Sequence, residues 1–392
     1  MNSVKELAEE YFDYAVSMRR EFHMHPEPSM KEKRTSRRII EELEKLGLEA
    51  KNAAGTGVVS EIKGGKKSAS NKTVALRADM DALELEEKNE VEYKSKNEGL
   101  MHGCGHDGHS ASLLTAAKIL NDLKEEFAGT VKLIFQPGEE IAVGAKTMVE
   151  EGVVEDVDAI LGIHIWNDLE SGKISVEAGP RMAAVNQFII KVKGKGGHGS
   201  MPHQAVDPIV MASSFILESQ AILSRETDSL DPVVFTLGKM KSGSRFNVIP
   251  DKAEIVGTLR CFKEKTRNEA SEAIKRYADK IAKSYRGEAE VEIRKGTPPT
   301  INDQRCTEIA QAAARKIAAE DILIEMEKTP GSEDMAYYLR EVPGVIAFVG
   351  AAFADESKNY PHHNSRFNIN EESLKQGTEL YFNFALEFLE QY

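Results

Sequence analysis

Apolar positions recur at helical spacing near the start of the chain. Leu7, Tyr11, Tyr14, Ala15 and Met18 fall on one face, which predicts a helix over 4–24. Pro26 and Pro28 stop it. A second helix is expected over 31–46, ending at Gly47. The pattern then switches to a period of two. Val58–Lys63 and Thr73–Arg77 are β-branched and alternating, hence strands, with an exposed loop from Lys63 to Lys72 between them. Helical spacing returns over Ser110–Phe127, where Asp107 and Ser110 sit at the expected N-cap. Val131–Phe135 is almost continuously apolar, as in a strand buried on both faces. Ala159–His164 reads as another strand, with its histidine at the carboxyl end.

After Gly179-Pro180 the order becomes strand (187–193), helix (207–223), strand (233–240), strand (252–262), helix (266–285), strand (288–294). This βαββαβ series predicts a ferredoxin-like α+β sandwich inserted into a larger α/β domain. The expected division is 1–180 and 295–392 for the larger domain, with 181–294 inserted. In the last part, Val345–Val349 reads as an apolar strand and a helix closes the chain from Asn370.

Composition narrows the function. The chain has 392 residues, 41% hydrophobic and 29% charged, room for two cores. A net charge of −13 argues against nucleic acid or an anionic membrane as the main partner and leaves a small molecule open. Cys104, Cys261 and Cys306 are too scattered for a disulfide framework and fit a reducing cytoplasm. The acidic amphipathic N-terminus is not a signal peptide.

Metal-binding chemistry concentrates in Met101–His109, MHGCGHDGH. A thiol and an imidazole two residues apart suit a borderline-soft divalent ion, and we read them as lying in a loop or at a strand end. A buried cysteine beside capping residues is the plain alternative. Further metal-capable groups follow predicted strands. Asp79 and Asp81 can bind metal or orient a ligand imidazole. Glu139 and Glu140 point in different directions, so one can coordinate while the other serves as general base. His164 ends its strand, and His362-His363 offers one ligand and one wall residue. In the inserted part, His198 lies in a glycine-rich loop suited to an oxyanion.

Together these segments resemble the aminoacylase/carboxypeptidase group of dinuclear metallohydrolases, in the branch of hippurate hydrolase, auxin–amino acid conjugate hydrolases and aminobenzoyl-glutamate hydrolase subunits. The motifs are RADMDAL (77–83), MHGCGHDGH (101–109), QPGEE (136–140), GIH (162–164), GGHGSMPH (196–203), FNVIP (246–250), GSED (331–334) and HHNSRF (362–367). The resemblance implies a mixed-sheet, phosphorylase/hydrolase-like catalytic domain with the ferredoxin-like insert as lid and homodimer contact. It implies two divalent ions, Zn, Mn, Co or Ni, on Cys104, His106, Glu140, His164 and His363, with Glu139 as catalytic base. His363 is preferred to His362 because the following Asn-x-x-Phe matches the family spacing. Asp79 and Asp81 would support the ligands, His198 would assist at the oxyanion, and Asn247 and Arg260 would hold a substrate carboxylate. Glu84 stands where many relatives carry proline. The implied reaction is hydrolysis of an N-acyl amino acid. The alternatives are a dipeptidase or aminopeptidase on the same scaffold, and a non-catalytic metal-binding protein.

Overall fold

The computed structural model describes residues 4–67, 71–318 and 321–391, so part of the Lys63–Lys72 loop lies outside the described residues. The chain divides into two compact units. One comprises Met1–Gly179, Ile301–Glu327 and Asp334–Tyr392, the other Pro180–Thr300 and Lys328–Glu333.

The first unit is built on a seven-stranded mixed sheet. Its strands are β1 (Ala50–Ala53), β2 (Gly57–Lys63), β3 (Thr73–Asp79), β4 (Thr130–Gln136), β5 (Ala159–Glu170), β6 (Ile174–Ser175) and the late strand Gly344–Ala352. In space they run β1, β2, β4, β3, β5, the late strand, β6. The four central strands are parallel, and antiparallel strands flank them. β3, covered on both faces, is buried at every position, with Val74, Ala75, Leu76 and Ala78 in the core and Arg77 and Asp79 the buried charges toward its carboxyl end. Helices His106–Asp122, Gln304–Ile317 and Ser373–Glu390 pack side by side. Leu113, Leu120, Ile309, Ala313, Leu380 and Phe384 carry them into the same core as Leu76, Leu133 and Leu161.

Several boundaries differ from the sequence expectation. The first helix is two, Val4–Glu10 and Phe12–Met24, broken at Tyr11. β1 was not foreseen: Ala50–Ala53 is short and half exposed, without a clear alternation, and exists because β2 pairs with it. The helix expected from Ser110 begins at His106, so Asp107 and Ser110 lie inside it and cap nothing. Gly105 occupies the cap with φ of 94°, a left-handed conformation that glycine adopts without strain. β5 runs on to Glu170, which puts His164 in mid-strand. The late strand sustains that extension, pairing Phe348 with His164 and Gly350 with Trp166. β3, on the other side, pairs β5 only as far as Gly162. His164 therefore still emerges where the neighbouring strand has run out.

The second unit has a four-stranded antiparallel sheet in the spatial order Val233–Ser242, Lys252–Cys261, Ala184–Lys193, Glu288–Lys295. The central strand 252–261 alternates strictly in burial. Its inward residues meet helices Pro208–Glu218 and Glu264–Ser284 in a core of Phe188, Ile190, Ile255, Phe215 and Ile274. Chain order and strand order are those of a ferredoxin-like sandwich.

Candidate metal centre

The carboxyl ends of parallel strands are where open α/β sheets place ligands. Here β3 delivers Asp79 and Asp81, β4 delivers Glu139 and Glu140, β5 carries His164, and the loop before helix His106–Asp122 supplies Cys104 and His106.

The two aspartates hold other groups in place. Asp79 accepts from Arg77 at 2.9 Å and from His109 Nδ1 at 2.6 Å. Asp81 receives His106 Nδ1 at its carbonyl (3.0 Å) and at Oδ1 (3.2 Å), while its Oδ2 accepts from Ser29 (2.6 Å) and the Glu140 amide (3.1 Å). One carboxylate thus positions both an imidazole and a glutamate. Burial opposes the charge on Asp79, but His106, His109 and Arg77 outweigh it and hold the carboxyl well below its usual range. Asp81 is lowered in the same way, against burial, by His106 and Ser29.

His109 is tied at both nitrogens. The Ile165 amide donates to its Nε2 at 2.7 Å, so the ring proton sits on Nδ1 and goes to Asp79. The ring props the backbone beside His164 and has no lone pair to offer.

With Nδ1 of His106 turned to Asp81, its Nε2 faces the site. That atom and Glu140 Oε1 lie 3.9 Å apart, both buried, and neither has a hydrogen-bond partner. Such paired orphans are rare in native interiors unless a ligand joins them. Cys104 completes this group, and its Sγ also lies 3.6 Å from His164 Nε2 and 3.8 Å from His362 Nδ1. His164 gives its Nδ1 proton to the Ile165 carbonyl at 2.8 Å, which leaves Nε2 as a lone pair toward the sulfur. Burial pushes the Cys104 thiol well up, aided by the charge of Glu140, and holds His164 well below its ordinary value. His106 is held well above its ordinary value, against burial, by Asp79 and Asp81, while burial with Asp81 and Asp79 raises Glu140. A thiol, an imidazole and a carboxylate at such mutual distance form a donor set suited to a borderline-soft divalent cation. The residues fit a metal.

The adjacent histidines diverge. His363 has φ of 64°, a region rare outside glycine. Its amide is anchored to the Gly103 carbonyl at 2.8 Å. That turn sends His363 Nε2 to within 3.4 Å of Glu140 Oε2, while His362 turns inward to Cys104. Glu139 is mostly covered, with Oε2 4.0 Å from His106 Nε2 and Oε1 receiving the Asp334 amide at 3.4 Å.

In the second unit, strand 197–198 pairs with strand 248–249, placing His198 opposite Val248 and beside Asn247. Ser200 donates its amide to His198 Nδ1 at 3.1 Å, so the proton sits on Nε2 of an exposed ring. Arg260 is elsewhere. It lies near the far end of strand 252–261, opposite Val185, and donates to the Pro330 carbonyl at 2.9 Å. Lys252, at the other end of that strand, pairs with Lys193.

Sequence reasoning missed the scaffolding. Glu32 accepts from the Gly138 amide (2.9 Å) and Thr56 (2.5 Å), fixing the turn before Glu139. Asp107, taken for a cap, instead binds Arg19 (2.9 Å) and His23 (2.7 Å) in the interior. Asp334 accepts from Arg77 at 2.9 Å and Gln136 at 2.8 Å. Arg77 is fully buried between Asp79 and Asp334. Arg77→Met is expected to cost about 3–5 kcal/mol, because it removes the buried cation that both carboxylates share. Chemical denaturation checks this, and an unchanged midpoint would show that the network is not held by the guanidinium.

An α/β sheet that gathers a thiol, imidazoles and carboxylates at its strand ends offers the donors of a divalent-metal centre. The model of peptidase family M20/M25/M40 matches residues 75–387, and the chain belongs to that family. It is 40% identical to an IAA-amino acid hydrolase of Arabidopsis thaliana over 97% of this chain and 87% of that one. It is 38% identical to an N-acetylcysteine deacetylase of Bacillus subtilis, covering 96% of this chain and 97% of the relative. A solved Bacillus subtilis structure, described as a dinuclear metal binding peptidase of the M20 family, superposes with a TM-score of 0.87. That protein is 34% identical, over 98% of this chain and 100% of the other. The chain is accordingly a hydrolase of amide bonds.

Proposed function

We propose that the chain cleaves N-acyl amino acids, with Cys104, His106, Glu140, His164 and His363 holding two divalent ions and Glu139 serving as general base. The carrying observation is the facing pair of orphaned atoms, His106 Nε2 and Glu140 Oε1, with the Cys104 thiol beside them. Ions of the Zn, Mn, Co or Ni type would supply Lewis acidity toward the amide carbonyl and toward water. Everything else falls to the chain. Glu139 takes a proton from the attacking water at a carboxylate oxygen and later gives it to the leaving nitrogen. His198 offers an exposed Nε2–H, the kind of donor a developing oxyanion requires. Arg260 has the fork that suits a carboxylate on the leaving amino acid. The substrate class draws support from the two relatives, whose names denote release of an amino acid from an acyl group.

The test is a hydrolysis panel on metal-reconstituted protein, comparing acetyl-, benzoyl- and indoleacetyl-amino acids with dipeptides bearing a free amino terminus. The acylated substrates should lead in kcat/KM by about tenfold or more, since a site built for an acyl group leaves a free ammonium unpaired. Preference for the dipeptides would establish a peptidase instead. Inactivity on both classes would remove the proposal.

A further inference from the structure

Cys104 stands between two imidazoles, His164 and His362, at similar distances. On distance and residue type alone, Cys104, His164 and His362 form one possible metal group. Their protons distinguish them. His164 has given its Nδ1 proton to a carbonyl and turns a lone pair to the sulfur. His362 is the reverse case. The Asn167 backbone amide, a donor that cannot change role, points at His362 Nε2 at 3.2 Å. Nε2 must therefore be the lone pair, and the ring's proton lies on Nδ1, facing Cys104, whose Sγ is 3.8 Å away and whose backbone carbonyl is a second acceptor. Ligation through Nδ1 would move that proton to Nε2 and set two N–H donors against each other. Asn167 is itself buried, and its side chain is tied to the Tyr360 carbonyl at 2.8 Å. The ring is further fixed by Trp166 and Phe367, with centroids 4.7 and 4.9 Å away.

We infer that His362 is a positioning residue that donates an N–H···S hydrogen bond to Cys104, and that it is not itself a metal ligand. This rests on the proposed metal-binding role of Cys104. It also gives a structural reason why His363, turned by its left-handed backbone toward Glu140, is the ligand of the pair. A hydrogen bond to a metal-bound thiolate lowers the energy of the sulfur lone pairs, so it tunes the centre without entering it.

The experiment reconstitutes the full chain with cobalt(II) and reads two signals: cobalt content by elemental analysis, and the thiolate-to-cobalt charge-transfer band. Wild type, His362→Phe, His362→Gln and His363→Gln are compared at saturating cobalt. Phe keeps the ring contacts without the N–H, and Gln restores a donor. His362→Phe should retain the wild-type cobalt content and move the band to longer wavelength, with His362→Gln moving it back. His363→Gln should lose cobalt. If His362→Phe or His362→Gln loses as much cobalt as His363→Gln, His362 is a ligand and the inference falls. If cobalt is retained and the band does not move in His362→Phe, there is no N–H···S bond and the inference also falls. Failure of the parent reading looks different. Wild-type protein would then bind no cobalt, or Cys104→Ala would keep the band, and this inference would go with it.

Discussion

Glu139→Gln should lower kcat by about 10²–10⁴-fold, the usual worth of a positioned general base. Its metal content should stay at the wild-type level. Glutamine keeps the shape of glutamate and loses only the ability to take a proton. Glu139 lies 4.0 Å from His106 Nε2, farther than the 3.4 Å between Glu140 and His363. It also accepts the Asp334 amide, a bond the glutamine carbonyl can keep. Folding and metal binding should therefore survive. Steady-state kinetics on the best N-acyl amino acid, with elemental analysis of the same sample, separate the outcomes. Activity within tenfold of wild type would remove Glu139 as the base. Loss of metal along with activity would make it a ligand.

The second large effect belongs to Cys104→Ala, which should abolish metal retention and, with it, hydrolysis. The sulfur is common to two groupings of possible ligands, with His106 and Glu140 on one side and His164 on the other. Removing it should disable both. Thermal unfolding with and without added metal gives a readout independent of turnover. A ligand present at 100 times its Kd stabilises the folded chain by about 2.7 kcal/mol. Wild type should show a shift of that order, and Cys104→Ala should show almost none. A full metal-induced shift in the variant would take Cys104 out of the coordination sphere.

The isolated Met101–His109 segment should bind metal weakly, because its partners arrive from distant strands and from the loop at His363. Within the segment the sequence signalled chemistry through composition: a thiol, imidazoles and glycines in nine residues. It did not signal that His106 opens a helix, since the capping residue is a left-handed glycine and not a side-chain cap. Nor did it reveal Glu32, Asp107 or Asp334. Each is a single charged residue in an ordinary-looking position, and its function depends on a partner far along the chain. Glu32 meets Gly138, Asp107 meets Arg19, and Asp334 meets Arg77.

The sequence by itself determined the elements whose signal is local. Near-continuous apolar runs made buried parallel strands, strict alternation made the antiparallel sheet of the inserted unit, and prolines and glycines set most of the breaks. It also supplied the kinds of groups a metal centre needs. The tertiary structure alone decided what each group does. Whether an aspartate holds a metal or an imidazole depends on which proton donors reach its oxygens. Which histidine of an adjacent pair turns inward depends on one left-handed residue and one backbone amide. Protons on imidazole nitrogens are assigned by neighbours in space, and no spacing along the chain encodes them. The stretch that carries the thiol and His106 is thus only one wall of the centre, and the fold builds the others.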